Sequence, residues 1–401
     1  MSQLPASLDE TYERVLKEIG TSNRHHAYRL LQCLAVSIRP LRVEELAEIL
    51  ALDFDNTKDG VPQLKEDWRW KDRQEAVLST CSSLVTVIGR DSQRVVQFSH
   101  FSVKEFLTSD RLATSSAEVS HFHILPEPAH TVIAKACLGI LLQSDDGEGD
   151  VNTNRSSLAT YAAEHWVDHA QFETVSTHLE EGMRQLFDSE KPYFEGWLNL
   201  HDIDRSWYAF GGYYGIIPRG SPLYYASFCG LRKITEHLVA EHPEQVNVKV
   251  GRCLNPLVAA LHKRHFDVAE LLFQCGADVD ITGDRTPLHA ALMDESADIA
   301  EWLLDHGADA MTPLEDHGTS LHFAALYRDF RFVRMLLRHG ISVNSKDKDN
   351  RTPLHISSEV GRVETVRLLL QNGADADARD LGHRTPLHMA LSWVSDKRRD
   401  S

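Results

Sequence analysis

The 401-residue sequence predicts a mainly α-helical protein in two parts. A non-repeating helical N-terminal half contains one β-hairpin, and a C-terminal half forms a solenoid of stacked helix pairs. Three observations carry this. Apolar residues at helical spacing dominate the first half. Two β-rich runs, Val85–Ile88 and Val95–Phe98, flank the turn Gly89–Gln93. A tetrapeptide related to Thr-Pro-Leu-His returns at near-constant spacing through the second half.

In chain order, Leu8–Ile19 has helical apolar spacing with acids in its first turn, which complements the helix dipole. His26–Ile38 is a second helix, ended by Arg39-Pro40, and Val43–Leu52 is a third. A loop containing Gly, Pro and Asp leads to a fourth helix, Glu75–Leu84, and then to the hairpin. Helices followed by such a hairpin read as a winged-helix-like domain over residues 1–115. Residues 116–215 read as a helical linker domain, with helices at Ala129–Gln143, Leu158–Phe172 and Val175–Phe187. The acidic stretch Ser144–Asp150 lacks the spacing and distal Glu of a calcium loop and reads as a solvated loop. Phe210–Gly220 has glycines but no preceding strand, so it reads as a hinge rather than a dinucleotide fingerprint.

From residue 216 the tetrapeptide and its relatives fall at Ser221–Tyr224, Asn255–Val258, Thr286–His289, Thr319–His322, Thr352–His355 and Thr385–His388. Their second positions are 34, 31, 33, 33 and 33 residues apart. A second marker, a Leu-Leu run before glycine, ends at Gly276, Gly307, Gly340 and Gly373, each 20 residues after its repeat's second position. Thr caps a first helix, and Pro sits in the first turn, where a missing N–H costs nothing. The glycine after the second helix supplies a left-handed C-terminal conformation. One such unit cannot bury its own apolar face, so stability comes from stacking.

These residues resemble the ankyrin repeat, a helix pair with a projecting β-turn finger, over about five to six repeats spanning 216–401, the last incomplete. Gly230 and Gly361 hold the inter-helix glycine position, but Arg264, Glu295 and Arg328 replace it, so those turns are expected to be strained or reshaped. The last unit runs into Trp393-Val-Ser-Asp-Lys without a second helix. His289, His322, His355 and His388 are the fourth residues of their tetrapeptides and are expected to bond adjacent turns rather than a metal. The resemblance further implies that the sixth and seventh residues after each second position line a concave binding face. On that basis Leu326, Tyr327 and Val360 form an apolar strip flanked by the finger residues Lys348 and Arg351, a candidate protein-binding site.

Composition narrows the partners. The chain is 42% hydrophobic and 25% charged, and no apolar run approaches the ~18 residues of a membrane span. Six cysteines without a CxxC pair favour a reducing compartment, so the expected location is the cytoplasm, or alternatively the nucleus. Net charge is −17. Residues 1–216 hold 20 basic against 33 acidic side chains, and residues 217–401 hold 22 against 26. That field opposes nucleic acid and anionic lipid. The helix before the hairpin carries no Lys or Arg at Glu75–Leu84, so DNA reading is not expected.

The segments LPASLDETYERVLKEI, RPLRVEELAEIL, CSSLVTV, FSHFSVKEFL and YAAEHWVDHA, in this order, resemble the region downstream of the NACHT domain in fungal NACHT–ankyrin proteins, which are STAND-class signalling NTPases. In that class a winged-helix histidine contacts the nucleotide phosphate, and His100 is the matching position. No GxxxxGK[ST] phosphate loop occurs in these 401 residues, so His100 is expected to serve as a turn residue unless an NTPase partner module is supplied. His121–His123 would place two imidazoles on one side of a strand, with no further ligand nearby. No catalytic constellation, metal site or cofactor site is expected, and the chain reads as a non-enzyme. Two functions fit. One is a scaffold binding partner proteins through its ankyrin concave face. The other is a regulatory or sensor fragment of a NACHT-type NTPase switch in fungal self/non-self recognition, lacking its own ATPase module.

Overall fold

The computed structural model describes residues 8–397, apart from 22, 59, 69–71, 91–92, 144–155, 173, 205–218, 252, 254, 282–285, 314–317 and 328. The expected linker at Ser144–Asp150 and most of the Phe210–Gly220 hinge lie outside the described residues. The fold is mainly helical, and the chain divides into two compact units. One comprises residues 1–206 with 233–237, the other 207–232 with 238–401.

The first unit begins with α1 (Leu8–Glu18), α2 (Arg24–Val36) and α3 (Val43–Leu50). The loop expected after α3 is instead an antiparallel hairpin, β1 (Leu52–Lys58) and β2 (Val61–Leu64). Pairing starts with Leu52 opposite Leu64, and the register shifts between Asp53 and Lys58. Asp53 causes this locally. Its Oδ1 accepts the Asp55 and Asn56 N–H groups, and its Oδ2 accepts from the Asn56 amide, so the backbone folds onto the side chain. Polar residues at 53, 55 and 56 disguised the strand as a loop.

Then come α4 (Arg73–Cys81), β3 (Val85–Ile88) and β4 (Val95–Phe98), the expected hairpin, with Val85 opposite Phe98. Residues 41–43 add to its edge, because Val96 N–H donates to Leu41 O at 2.9 Å and Val43 N–H to Arg94 O at 3.0 Å. Glu45, fully buried, fixes the α2–α3 corner. It takes Arg39 in a two-point ion pair, also pairs with Arg42, and accepts the Arg42 N–H at 2.7 Å. Burial alone would raise its pKa, but these hydrogen bonds hold it below the usual carboxylate value.

After the short helices α5 (Phe101–Leu107), α6 (Asp110–Ala113) and α7 (Ala117–Ser120), the long α8 (Pro126–Leu141) runs through the unit's core. It packs on α2, on β2 and on α9 (Ala159–Ala170). Gly139 lets the hairpin approach: a Cβ there would lie 2.5 Å from the Pro62 carbonyl oxygen. The unit closes with α10 (Glu180–Phe187) and α11 (Tyr193–Leu200). Trp166, Phe187, Phe194 and Trp197 form an edge-to-face aromatic cluster there. His121–His123 follow α7 in a helical turn, not on the strand expected, and no group of three metal-ligating side chains occurs among the described residues.

The second unit is the solenoid. Its pairs are α12 (Pro222–Phe228) with α13 (Arg232–Glu241), α14 (Pro256–His262) with α15 (Phe266–Gln274), and α16 (Pro287–Met293) with α17 (Ala297–Asp305). α18 (Ser320–Leu326) with α19 (Phe330–Arg338) and α20 (Pro353–Glu359) with α21 (Val363–Gln371) follow, and α22 (Pro386–Lys397) is the last helix among the described residues. Gly276, Gly307, Gly340 and Gly373 all take positive φ after the second helices. Arg264 and Glu295 adopt φ of 62° and 53°, the left-handed geometry their missing glycines would have supplied. Arg328 lies outside the described residues.

The tetrapeptide histidines tie the stack together. Thr319 N–H donates to His322 Nδ1, and Thr352 N–H to His355 Nδ1, so Nδ1 is the acceptor and Nε2 carries the proton. Nε2–H of His322 then donates to Arg351 O at 2.9 Å, and that of His355 to Arg384 O at 3.1 Å, each in the next finger. His289 makes the corresponding link to Ser320 Oγ at 3.0 Å.

Candidate protein-interaction face

The proposed strip lies where two first helices end. Leu326 is the last residue of α18 and Tyr327 its C-cap, while Val360 caps α20. All three side chains are half-buried. The Tyr327 ring sits 4.7 Å from that of Phe323 one turn back, which fixes its orientation. Arg362 Nε donates to Leu326 O at 3.1 Å, so the end of α18 meets the turn just after Val360. Leu326 and Val360 therefore belong to neighbouring stretches of one surface.

The two basic residues sit differently. Lys348 is exposed on the finger. Arg351 is half-buried and engaged: its Nε reaches Asp347 at 2.8 Å, with Asp349 at 3.5 Å and Glu359 at 3.8 Å. Its backbone also closes the finger, since Arg351 N–H donates to Asp347 Oδ1 and Arg351 O accepts from Asp347 N–H. Arg351 thus shapes the finger, and a partner carboxylate would share it with three acids.

At the equivalent positions of earlier repeats stands a second cluster. His262 stacks on Phe228 with centroids 6.4 Å apart, and Lys263 Nζ lies 4.6 Å above the same ring. Burial, aided by Lys263, lowers the His262 pKa to about 4, so this imidazole is neutral at pH 7. His262 and Lys263 fall in the sequence-derived column of concave positions. Phe228 was missed, although it is also the sixth residue after its repeat's second position, because Ser221–Tyr224 matches the motif only loosely.

His100 is the N-cap of α5. Its Nδ1 accepts Ser102 N–H at 3.3 Å and lies 2.6 Å from Ser102 Oγ, which in turn lies 2.7 Å from the Tyr12 hydroxyl. The ring lies 4.3 Å from that of Phe101, tilted by 39°, and Phe101 is 69% exposed.

Comparison with known proteins agrees with this architecture. Residues 223–313, 257–347 and 321–397 match three copies of the ankyrin-repeat family model. Residues 12–119 match the winged helix domain of GPI inositol-deacylase. The chain therefore contains ankyrin repeats and a winged helix domain of that type. The chain is also similar to the azaphilone pigments biosynthesis cluster protein L of Monascus ruber, with 31% identity over 296 residues. That alignment takes in 70% of this chain and 61% of the relative, so the chain spans about three fifths of that protein's length. Ankyrin repeats are non-catalytic interaction modules, which gives the second unit a protein-binding role. Among the described residues no helix is long and apolar enough to cross a membrane.

Proposed function

We propose that this chain is a non-enzymatic scaffold that binds partner proteins through the concave ankyrin face, with Leu326, Tyr327 and Val360 at the contact and Lys348 and Arg351 on its rim. The observation that supports it most is the continuity between the end of α18 and the turn after α20, which joins apolar side chains of two repeats into one patch. The half-buried Tyr327, braced by Phe323, is the kind of rigid aromatic that anchors interfaces. The expected setting is the cytoplasm or nucleus. The test is quantitative pull-down with the double variant Tyr327→Ala, Val360→Ser. Truncating an anchor of this kind costs about 2 kcal/mol or more, roughly thirtyfold in affinity. Partners should be lost while thermal unfolding stays nearly unchanged; partners retained, or lost only because the variant unfolds, would reject the strip.

A second reading is favoured by the winged helix domain and by His100. In it, the chain is the regulatory portion of a NACHT-type NTPase switch whose ATPase module lies elsewhere. His100 Nδ1 is committed to capping α5, which leaves Nε2 as the edge available to a phosphate. The chain alone should not bind ATP. Saturable micromolar binding, abolished by His100→Ala, would favour an intrinsic nucleotide site over both readings.

A further inference from the structure

The first helices of four successive repeats end on residues of different character in the same structural place. Lys263, Asp294, Tyr327 and Val360 are the C-caps of α14, α16, α18 and α20, each the seventh residue after its repeat's second position. Tyr327 and Val360 belong to the candidate strip. Asp294, one repeat before it, and Lys263, two repeats before it, are exposed charges of opposite sign.

Neither charge is compensated from within. The ion pairs of the neighbouring turns bypass them: Arg264 pairs with Asp298 and Arg331 with Asp329, and among the described residues neither Lys263 nor Asp294 has an ion-pair partner. Lys263 Nζ is held above the Phe228 ring instead, where His262, neutral at pH 7, adds no second charge. A cation suits the negative end of a helix, so Lys263 fits its place on α14. Asp294 does not fit its place on α16. The terminal carbonyls repel a carboxylate there, and desolvation raises its pKa with no cation to offset it. A carboxylate kept where both effects oppose its charge is stabilised by a cation brought from outside.

We propose, resting on the scaffold reading above, that this column takes an extended segment of a partner protein that presents an acidic residue to Lys263, a basic residue to Asp294 and apolar residues to Tyr327 and Val360. Charge complementarity sets the first two contacts and the strip sets the last two. Packed helices lie about 8–10 Å apart and an extended chain advances about 3.3 Å per residue, so the four contacts fall about three residues apart in the segment. A segment with its two charges exchanged would meet like charge at both positions. The pair Lys263 and Asp294 is therefore a specificity element as well as an attractive one.

The test displays random peptides of about twelve residues to the immobilised full chain and measures synthetic copies of the enriched ones by fluorescence anisotropy. Enriched peptides should share this pattern, in either chain direction, and bind at least about tenfold more weakly to Lys263→Gln and to Asp294→Asn. The double variant Lys263→Glu, Asp294→Lys should lose the same peptides and recover binding to copies in which the acidic and basic residues are exchanged. Both positions are exposed, so unfolding midpoints should stay at the wild-type value, and recovery with the exchanged peptides shows independently that the double variant is folded. Peptides that lose binding in Tyr327→Ala, Val360→Ser but not in the charge variants would overturn this inference and leave the scaffold reading standing. Enriched peptides indifferent to Tyr327→Ala, Val360→Ser, or no enrichment at all, would overturn both.

Discussion

Acidification should destabilise the first unit through His169 before most carboxylates protonate. This side chain is fully buried between α8 and α9. Ile38 N–H donates to the Tyr161 hydroxyl at 3.2 Å, so that hydroxyl turns its own proton toward His169 Nε2 at 2.9 Å. His169 Nδ1 lies 2.9 Å from His130 Nδ1, and a single proton fits between them. Burial first, then the neighbouring His130 and His165, lower the His169 pKa to about 3, against an ordinary value of 6.5. Arg39, over the Tyr161 ring at 4.8 Å, is the nearby positive charge on the other side. Because the folded pKa is depressed, the unfolded chain takes up the proton first. The stability tied to neutral His169 is fully present above pH 6.5 and falls away progressively until pH nears 3. Between pH 7.5 and 5.0 the loss from this group alone is about 2 kcal/mol. Urea unfolding followed by tryptophan fluorescence at several pH values measures it, with His169→Gln as the comparison because Gln keeps a partner for Tyr161. The variant should start less stable and lose about 2 kcal/mol less than wild type over this range. A variant with the same pH slope as wild type would refute the argument.

Other consequences are independent of His169. Glu295→Gly should stabilise the solenoid by about 0.5–1 kcal/mol, because glycine takes the observed φ of 53° without a Cβ penalty, and a raised urea midpoint checks it. His322→Ala removes both the reciprocal cap with Thr319 and the link to Arg351 O, and should cost about 2–4 kcal/mol, read as faster hydrogen exchange in α18 to α20. His100→Ala should cost about 1 kcal/mol as a lost cap and His100→Asn much less; equal losses would argue against capping as its role.

The solenoid was legible because its period is enforced by local chemistry: a Ser, Thr or Asn cap opens each unit, a proline follows it in five of the six, and left-handed residues recur at the helix ends. Arg264 and Glu295 show how far that reading extends: the missing glycines left strained or reshaped turns as the alternatives, and the positive φ at both shows the strained form. The first unit was less legible where tertiary context overrides pattern. β1 reads as a loop because the Asp53 carboxylate accepts from the backbone N–H groups of Asp55 and Asn56 within the strand. The His130–His169–Tyr161 chain joins residues 39 and 8 positions apart, with no spacing that marks it. In the candidate face, the placing of the proposed strip follows from the ankyrin resemblance, whereas the capture of Arg351 by Asp347, Asp349 and Glu359 depends on how the finger folds.

The most direct measurement of the interaction role is hydrogen exchange of the full chain with and without a protein partner recovered through it. Binding on the concave face predicts slowed exchange at residues 323–327 and 347–360, with residues 8–200 unchanged. Slowing confined to residues 8–200, with the repeats unaffected, would contradict the account.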